Sequence, residues 1–155
     1  MSETQRTSGI KFPPPFLYVG VLLLALLLQR LVPFNPLPRT FSRVAAAVLL
    51  LPGLGLVFWS IWLFLRARTS PLPMRPTTAI VRTGPYRWTR NPMYLGMLLF
   101  YVGIALLFDI FWALVLIPLI MALVVRLVIH REEHYLQATF GEEYRHYQTQ
   151  VRRWI

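Results

Sequence analysis

The sequence predicts an all-α fold, an integral membrane bundle of about four transmembrane helices with both termini cytoplasmic and a C-terminal amphipathic helix. Of its 155 residues 56% are hydrophobic and 14% charged, whereas a soluble domain is nearer half apolar and a quarter charged. The apolar residues gather in stretches suited to a bilayer core about 30 Å thick. The charge is lopsided, 16 Lys and Arg against 6 Asp and Glu. This composition excludes a disordered chain and most soluble enzymes.

Four apolar stretches predict the transmembrane helices. The first, 16–34, is the weakest, and the second, 44–65, has no charge over 22 residues. Residues 93–129 would make a helix of about 55 Å, too long for one crossing. We therefore predict a hairpin of 93–108 and 110–129 that turns at Asp109. All 155 residues then form one domain.

The positions of the cations predict the orientation. Thirteen of the 16 Lys and Arg residues fall in the N-terminal segment, which holds Arg6 and Lys11, in loop 66–92, or from residue 126 onward. The other three are Arg30, Arg39 and Arg43. By the positive-inside rule, both termini and loop 66–92 are cytoplasmic at the cell (inner) membrane. The basic excess is first a topology signal, so no nucleic-acid partner is needed to explain it.

Two segments outside the predicted spans differ in character. Loop 66–92 is rich in proline and contains Gly84, which predicts turns and no helix. Residues 130–155 form the predicted tail helix, because one apolar stripe recurs there at helical spacing. Its members are Leu136, Phe140, Tyr144 and Tyr147. Gly141 is a candidate interruption of this helix. In the second span, Gly53 and Gly55 predict close packing against a neighbouring helix.

The predicted hairpin brings charged residues together at its open end. Arg87 and Arg90 come just before the third span, while Glu132 and Glu133 come just after the fourth. Antiparallel helices pack with their axes about 8–10 Å apart, so an Arg/Glu cluster is expected at the cytoplasmic interface. Such groups are costly there unless they pair or bind a ligand. The simpler interpretation is that they pair only with one another and with lipid headgroups.

The order of several motifs resembles a known superfamily. The motifs are Gly84-Pro85-Tyr86-Arg87, Arg90-Asn91-Pro92-Met93-Tyr94-Leu95-Gly96, Glu132-Glu133 and Phe140-Gly141-Glu142-Glu143-Tyr144, followed by Tyr147. Together they resemble the signature of the isoprenylcysteine carboxyl methyltransferase and phospholipid methyltransferase superfamily. The resemblance covers about residues 76–155, half of the chain. The first two spans carry no signature beyond hydrophobicity.

The resemblance implies a membrane enzyme that binds S-adenosylmethionine without a Rossmann fold. It implies Arg90 and Glu133 as catalytic residues, and the full cofactor set is Tyr86, Arg87, Arg90, Asn91, Pro92, Tyr94, Leu95, Gly96, Glu132, Glu133 and Tyr144. No metal is expected. Many members have His where this chain has Asn91, and an amide cannot carry a proton as imidazole does.

The chemistry of these side chains is consistent with that implication. Arg90 offers a fork of N–H donors for the cofactor carboxylate. Glu132 or Glu133 suits the ammonium or the ribose, but they lie about 100° apart on a helix, and we favour Glu133. The tyrosines suit the adenine or the sulfonium, although they are also typical of a membrane interface.

The implied function is methyl transfer to a lipid or a lipid-linked small molecule at the cytoplasmic interface. A carboxylate acceptor, as in prenylcysteine, is favoured because it is already deprotonated and needs only alignment. An amine or a hydroxyl acceptor stays open. An amine would require a base, for which Glu132, Glu133 and His134 are candidates.

Three alternatives come from other classes. His130, Glu133 and His134 fit the H-x-x-E-H pattern of a zinc hydrolase, a cheap five-residue match. A sterol-type membrane reductase shares an Arg-His-Pro-x-Tyr-x-Gly element and binds NADPH. A non-catalytic lipid-binding protein would also carry these features. The sequence does not predict an oligomeric state.

Overall fold

The computed structural model describes residues 7–10 and 12–155, and it is all-helical. The described part contains no β-strand beyond one isolated parallel bridge between Thr89 and Arg152. Arg6 and Lys11, which entered the orientation argument, lie outside the described residues. The long helices come first: α1 (Pro15–Leu31), α2 (Arg39–Arg66) and α3 (Pro92–Leu107). The shorter ones follow: α4 (Phe111–Val115), α5 (Ile117–Val124), α6 (His130–Phe140) and α7 (Glu142–Gln150).

Prolines mark the helix starts in this chain. Pro15 and Pro92 begin α1 and α3, where the missing N–H of proline removes no helical hydrogen bond. Pro118 lies at the second position of α5. Its ring would clash with the carbonyl of Leu114 in a continuous helix, so the predicted span 110–129 is not one continuous helix: it breaks at Leu116 between α4 and α5.

Helix α2 is distinctive for its length and its exposed apolar side chains. Within the described residues, it is the one helix long and apolar enough to cross a membrane by length and composition. The apolar helices α1 and α3 are shorter, with 17 and 16 residues. Large side chains such as Leu51, Phe58 and Trp62 point outward from α2. An exposed apolar surface of this extent is typical of contact with lipid.

Glycines let α2 and α3 pack closely. A Cβ on Gly53 would lie 2.7 Å from the backbone nitrogen of Phe100, and one on Gly96 would lie 2.8 Å from the carbonyl oxygen of Gly53. Gly103 meets Leu50 in the same way. A Cβ on Gly55 would meet nothing within 4 Å. The predicted close packing therefore holds for Gly53 and is wrong for Gly55, which lies on another face of the helix.

The chain turns between α3 and α4 at Phe108 and Asp109. Asp109 has a φ of 55°, a left-handed conformation that aspartate tolerates better than most residues. Its carboxylate lies 3.9 Å from Arg39 Nε at the start of α2. The opposite end of these helices, near Phe64 and Arg90, holds the cavity described below.

The predicted single tail helix over 130–155 requires correction. Helix α6 ends at Phe140, and α7 starts at Glu142, because Gly141 has φ 54° and ψ −123°, a conformation nearly restricted to glycine. After Gln150 the chain is extended. The apolar stripe survives the break, since Leu136, Phe140, Tyr144 and Tyr147 share one cluster with Ile80 of the preceding loop.

A π-helical turn joins α5 to α6 over Val125–Ile129. Such turns are rare and occur frequently at functional sites. Its buried members, Val128 and Ile129, belong to the main core with Ile120 and Val124. The turn thus anchors the start of α6, which carries Glu132 and Glu133.

Candidate cofactor site

A cavity lies where the C-terminal end of α2, the N-terminal end of α3 and helices α6 and α7 meet the proline-rich loop. Its space amounts to about 820 Å³ with the open solvent at its mouth included. The loop contributes mostly small and apolar side chains, among them Pro71, Leu72, Ile80 and Val81. Ser8, Ser70 and Thr77 add small polar side chains, and the larger polar side chains of the lining are Tyr86, Arg90, Asn91, Tyr94, Glu132, Glu133, Tyr135, Tyr144 and Tyr147.

Arg90 brings unsatisfied hydrogen-bond donors to this cavity. Its side chain is 12% exposed, and Nη1 lies 3.3 Å from Oε1 of Glu133. The guanidinium also has Tyr144 as a hydrogen-bond partner, but among the described residues no acceptor is placed to hydrogen-bond its buried Nε or Nη1. Buried donors without an acceptor are costly and rare. Arg90 is therefore suited to bind an anionic ligand group in the cavity.

Glu133 is occupied by arginines on both sides. Arg153 donates from Nε to Oε1 at 3.0 Å and from Nη2 to Oε2 at 2.6 Å. This bidentate pair is the strong form of the Arg–carboxylate interaction, and the hydrogen bond that Arg153 donates to Glu133 raises the pKa of Arg153. Both carboxylate oxygens of Glu133 are thus already in use.

Glu132 is the carboxylate that has no cationic partner among the described contacts. The hydroxyl of Tyr94 donates to Oε1 of Glu132 at 2.7 Å. Glu132 lines the cavity. Burial raises the pKa of Glu132 to about 7, the Tyr94 hydrogen bond lowers it, and the charge of Glu133 raises it further. The contacts therefore favour Glu132 over Glu133 as the acceptor for a cationic ligand group.

Aromatic side chains form part of the cavity wall. Tyr147 donates its hydroxyl to the carbonyl oxygen of Tyr86 at 2.7 Å, which ties α7 to the 3₁₀ turn Gly84–Arg87. The rings of Tyr144 and Tyr147 lie 6.2 Å apart. Burial raises the pKa of Tyr144 to about 12, so its hydroxyl stays neutral at physiological pH.

Asn91 holds the C-terminal segment in place. Its side-chain amide donates to the carbonyl oxygen of Arg153 at 2.9 Å, and Thr89 Oγ1 donates to the same oxygen at 3.0 Å. The backbone N–H of Arg90 donates to the carbonyl oxygen of Arg152 at 2.9 Å. Asn91 also lines the cavity, so it borders the site while it anchors residues 151–155.

Seven of the eleven residues expected at the cofactor line the cavity together: Tyr86, Arg90, Asn91, Tyr94, Glu132, Glu133 and Tyr144. The structure places the other four elsewhere. Arg87 is exposed, while Pro92 is buried at the start of α3. Leu95 is partly buried and does not line the cavity. Gly96 packs against Gly53 and Val57 of α2. Gly96 does not line the cavity.

The residues of the zinc pattern do not converge. His130 and His134 are exposed, whereas Glu133 points to Arg90 and Arg153. Across residues 7–10 and 12–155, no three potential His, Cys, Asp or Glu ligands gather around a common point. The geometry gives the hydrolase alternative no support.

Sequence reasoning missed Arg153, Thr89 and the loop residues of the cavity wall. Arg153 lies 20 residues after Glu133, beyond a helix break, so no periodicity links the two. One signal was available: the C-terminal run Arg152-Arg153-Trp154 combines cations with an aromatic residue. It did not specify a partner.

The family of the chain follows from a comparison with protein-family models. The model described as phospholipid methyltransferase matches residues 41–143, well over half of the chain. The chain belongs to the phospholipid methyltransferase family. The match begins earlier than the motifs quoted above and ends at Glu143, so it includes Arg90, Glu132 and Glu133 but not Arg153. No curated protein and no solved structure gives a match.

Membership in the phospholipid methyltransferase family confirms the resemblance read from the sequence. It implies a membrane-associated methyltransferase that acts on a lipid. It gives no support to the sterol-type reductase or to the zinc hydrolase.

Proposed function

We propose that this phospholipid methyltransferase family member transfers a methyl group from S-adenosylmethionine to a lipid or lipid-linked acceptor at the cytoplasmic face of the membrane. The observation that carries the proposal is Arg90, whose buried Nε and Nη1 have no hydrogen-bond acceptor among the described residues. Arg90 lines a cavity that Glu132 also lines. A cation and a carboxylate together suit an amino-acid group.

The residues of the cavity fit S-adenosylmethionine. Arg90 would hold the carboxylate through its free donors, and Glu132 would hold the ammonium or a ribose hydroxyl. Tyr86, Tyr144 and Tyr147 offer ring faces to the adenine or the sulfonium. Glu133, whose two oxygens accept from Arg153, would lie beside Arg90 at an ion-pair distance of 3.3 Å.

When bound, the cofactor supplies an activated methyl group on its sulfonium. The residues of the chain need only bind, orient and exclude water, which suits a direct displacement. A carboxylate acceptor is already ionised and requires no base, so it remains favoured. For an amine acceptor, Glu132 would take up the proton, because its raised pKa of about 7 makes it a better base than an ordinary glutamate near neutral pH.

The membrane arrangement is part of the proposal. Segments 16–34, 44–65, 93–108 and 110–129 cross the membrane, with both termini and the cavity on the cytoplasmic side. Support comes from the exposed apolar side chains of α1 and α2 and from the excess of cations near the cavity end. The short α1 and α3 require tilt or local thinning of the bilayer.

Calorimetry tests the cofactor. Purified full-length protein in detergent is titrated with S-adenosylmethionine, with S-adenosylhomocysteine and, as a control for the reductase alternative, with NADPH. We expect saturable binding of the two adenosyl compounds and none of NADPH. If circular dichroism shows a folded protein that binds neither S-adenosylmethionine nor S-adenosylhomocysteine, the proposal is contradicted.

The raised pKa of Glu132 predicts a pH-dependent affinity. Below about pH 7 the carboxyl is largely protonated and neutral, and above it the charge that attracts the cofactor ammonium is present. Affinity for S-adenosylhomocysteine should therefore rise as pH increases from about 6 to about 8.

The variant Glu132→Gln is neutral at every pH and keeps an acceptor for the Tyr94 hydroxyl. Calorimetry of this variant should give weaker binding with a flat profile over that range. A variant that retains the wild-type pH slope would show that another group titrates.

A further inference from the structure

We propose that Arg153 is a positioning residue that keeps Arg90 free for the cofactor carboxylate by holding Glu133. The inference rests on the proposed function, since it concerns how the cofactor site is kept open. It involves a residue beyond the segment that matches the family. Arg153 would not touch the cofactor in this role.

Two arginines compete for the carboxylate of Glu133. Arg90 and Arg153 both lie at Glu133, but they use it unequally. Arg153 makes two hydrogen bonds, at 3.0 and 2.6 Å, one to each oxygen. Arg90 approaches Oε1 at 3.3 Å without hydrogen-bond geometry for its Nη1. Glu133 is thus satisfied by Arg153, and Nε and Nη1 of Arg90 remain without an acceptor among the described residues.

Removing the side chain of Arg153 would take away two hydrogen bonds from Glu133. A largely buried carboxylate, 13% exposed, is costly without a full set of donors. Arg90 is the cation already in ion-pair range of Glu133. We expect it to rotate and form the bidentate pair that Arg153 now makes, which would occupy the donors intended for the cofactor.

Backbone contacts hold Arg153 in place independently of its side chain. Its carbonyl oxygen accepts hydrogen bonds from Thr89 and Asn91. On one side, Val151 packs with Tyr144 and Tyr147, and on the other, Trp154 packs on the main core. Truncating the side chain of Arg153 therefore leaves the C-terminal segment docked.

The test compares two ligands that differ by one group. S-adenosylmethionine has the carboxylate, and decarboxylated S-adenosylmethionine lacks it but keeps the ammonium and the adenosine. Binding to the full chain in detergent is measured by calorimetry for the wild type, Arg90→Ala, Arg153→Ala and Arg152→Ala. Arg152→Ala is the matched control, because it removes the same charge from the adjacent, exposed position.

We expect Arg153→Ala to weaken the binding of S-adenosylmethionine by about tenfold or more, which corresponds to the loss of one charge-assisted hydrogen bond. Its affinity for the decarboxylated ligand should change little, and Arg152→Ala should change neither affinity. The double variant Arg153→Ala/Glu133→Gln should bind S-adenosylmethionine more tightly than Arg153→Ala, because the competing charge is gone. A structural role alone would not produce this recovery.

Several results would overturn the inference: equal losses for both ligands, no loss in Arg153→Ala, or no recovery in the double variant. If Arg153→Ala does not fold, Arg153→Lys serves, since it can hold one oxygen of Glu133 and should lose part of the carboxylate preference. Unchanged preference in that variant would contradict the inference.

The same data separate two kinds of failure. Wild-type protein that binds neither ligand, or Arg90→Ala that keeps the carboxylate preference, overturns the proposed function and this inference with it. Loss of that preference in Arg90→Ala but not in Arg153→Ala overturns the inference alone.

Discussion

Replacing Arg90 by alanine should weaken the binding of S-adenosylhomocysteine by at least about 100-fold, because two charge-assisted hydrogen bonds are lost together. Calorimetry of the purified variant measures this. Glu133 keeps its bidentate partner Arg153 in the variant, so a folded protein is expected. A lysine at position 90 should recover only part of the affinity, since ammonium lacks the planar fork.

The control for this prediction is Arg87→Ala. Arg87 was also expected at the cofactor from the sequence, but it is exposed and does not line the cavity. We expect its removal to change the affinity by less than about threefold, as for surface charges elsewhere. Equal losses in Arg87→Ala and Arg90→Ala would indicate a general electrostatic effect and contradict the assignment of the site.

Replacing Gly53 by alanine should lower the stability of the fold by about 1–3 kcal/mol or more. The new Cβ would lie 2.7 Å from the backbone nitrogen of Phe100 and 2.9 Å from the carbonyl oxygen of Gly96. Neither is the end of a flexible side chain, so α2 and α3 must separate. Thermal unfolding in detergent, followed by circular dichroism, measures the loss.

The matched control is Gly55→Ala, two residues along the same helix. Its Cβ would meet nothing within 4 Å, so the higher helix propensity of alanine should leave stability equal or raised by up to about 1 kcal/mol. If both variants behave alike, the close contact of α2 with α3 at Gly53 is misplaced.

The helices were largely predictable from the sequence, because hydrophobic stretches and prolines are local signals. The stretch 93–108 anticipated α3 to within one residue at each end, and Asp109 lies in the turn. The tail could not be predicted in the same way. Gly141 was a candidate interruption, but a glycine is also tolerated within a helical pattern, and only its positive φ in the structure shows that the chain bends there.

The candidate site was predictable in composition but not in pairing. The sequence pointed to Arg90, Glu132 and Glu133, and the structure brings all three to one cavity. Which glutamate faces a ligand depended on Arg153, a contact between distant residues that no pattern contains. For the same reason, the sequence predicted that Gly96 contacts the cofactor, whereas in the structure Gly96 packs against α2.

The most direct test of the central claim is transfer of a labelled methyl group. Membranes containing the wild-type protein are incubated with S-adenosylmethionine labelled in its methyl group, and the lipids are extracted into organic solvent and counted. Membranes with Arg90→Ala at equal expression are the control. We predict label in the lipid fraction that depends on Arg90. Label absent from that fraction, or equal in the two membranes, would contradict the claim that this cavity methylates a lipid.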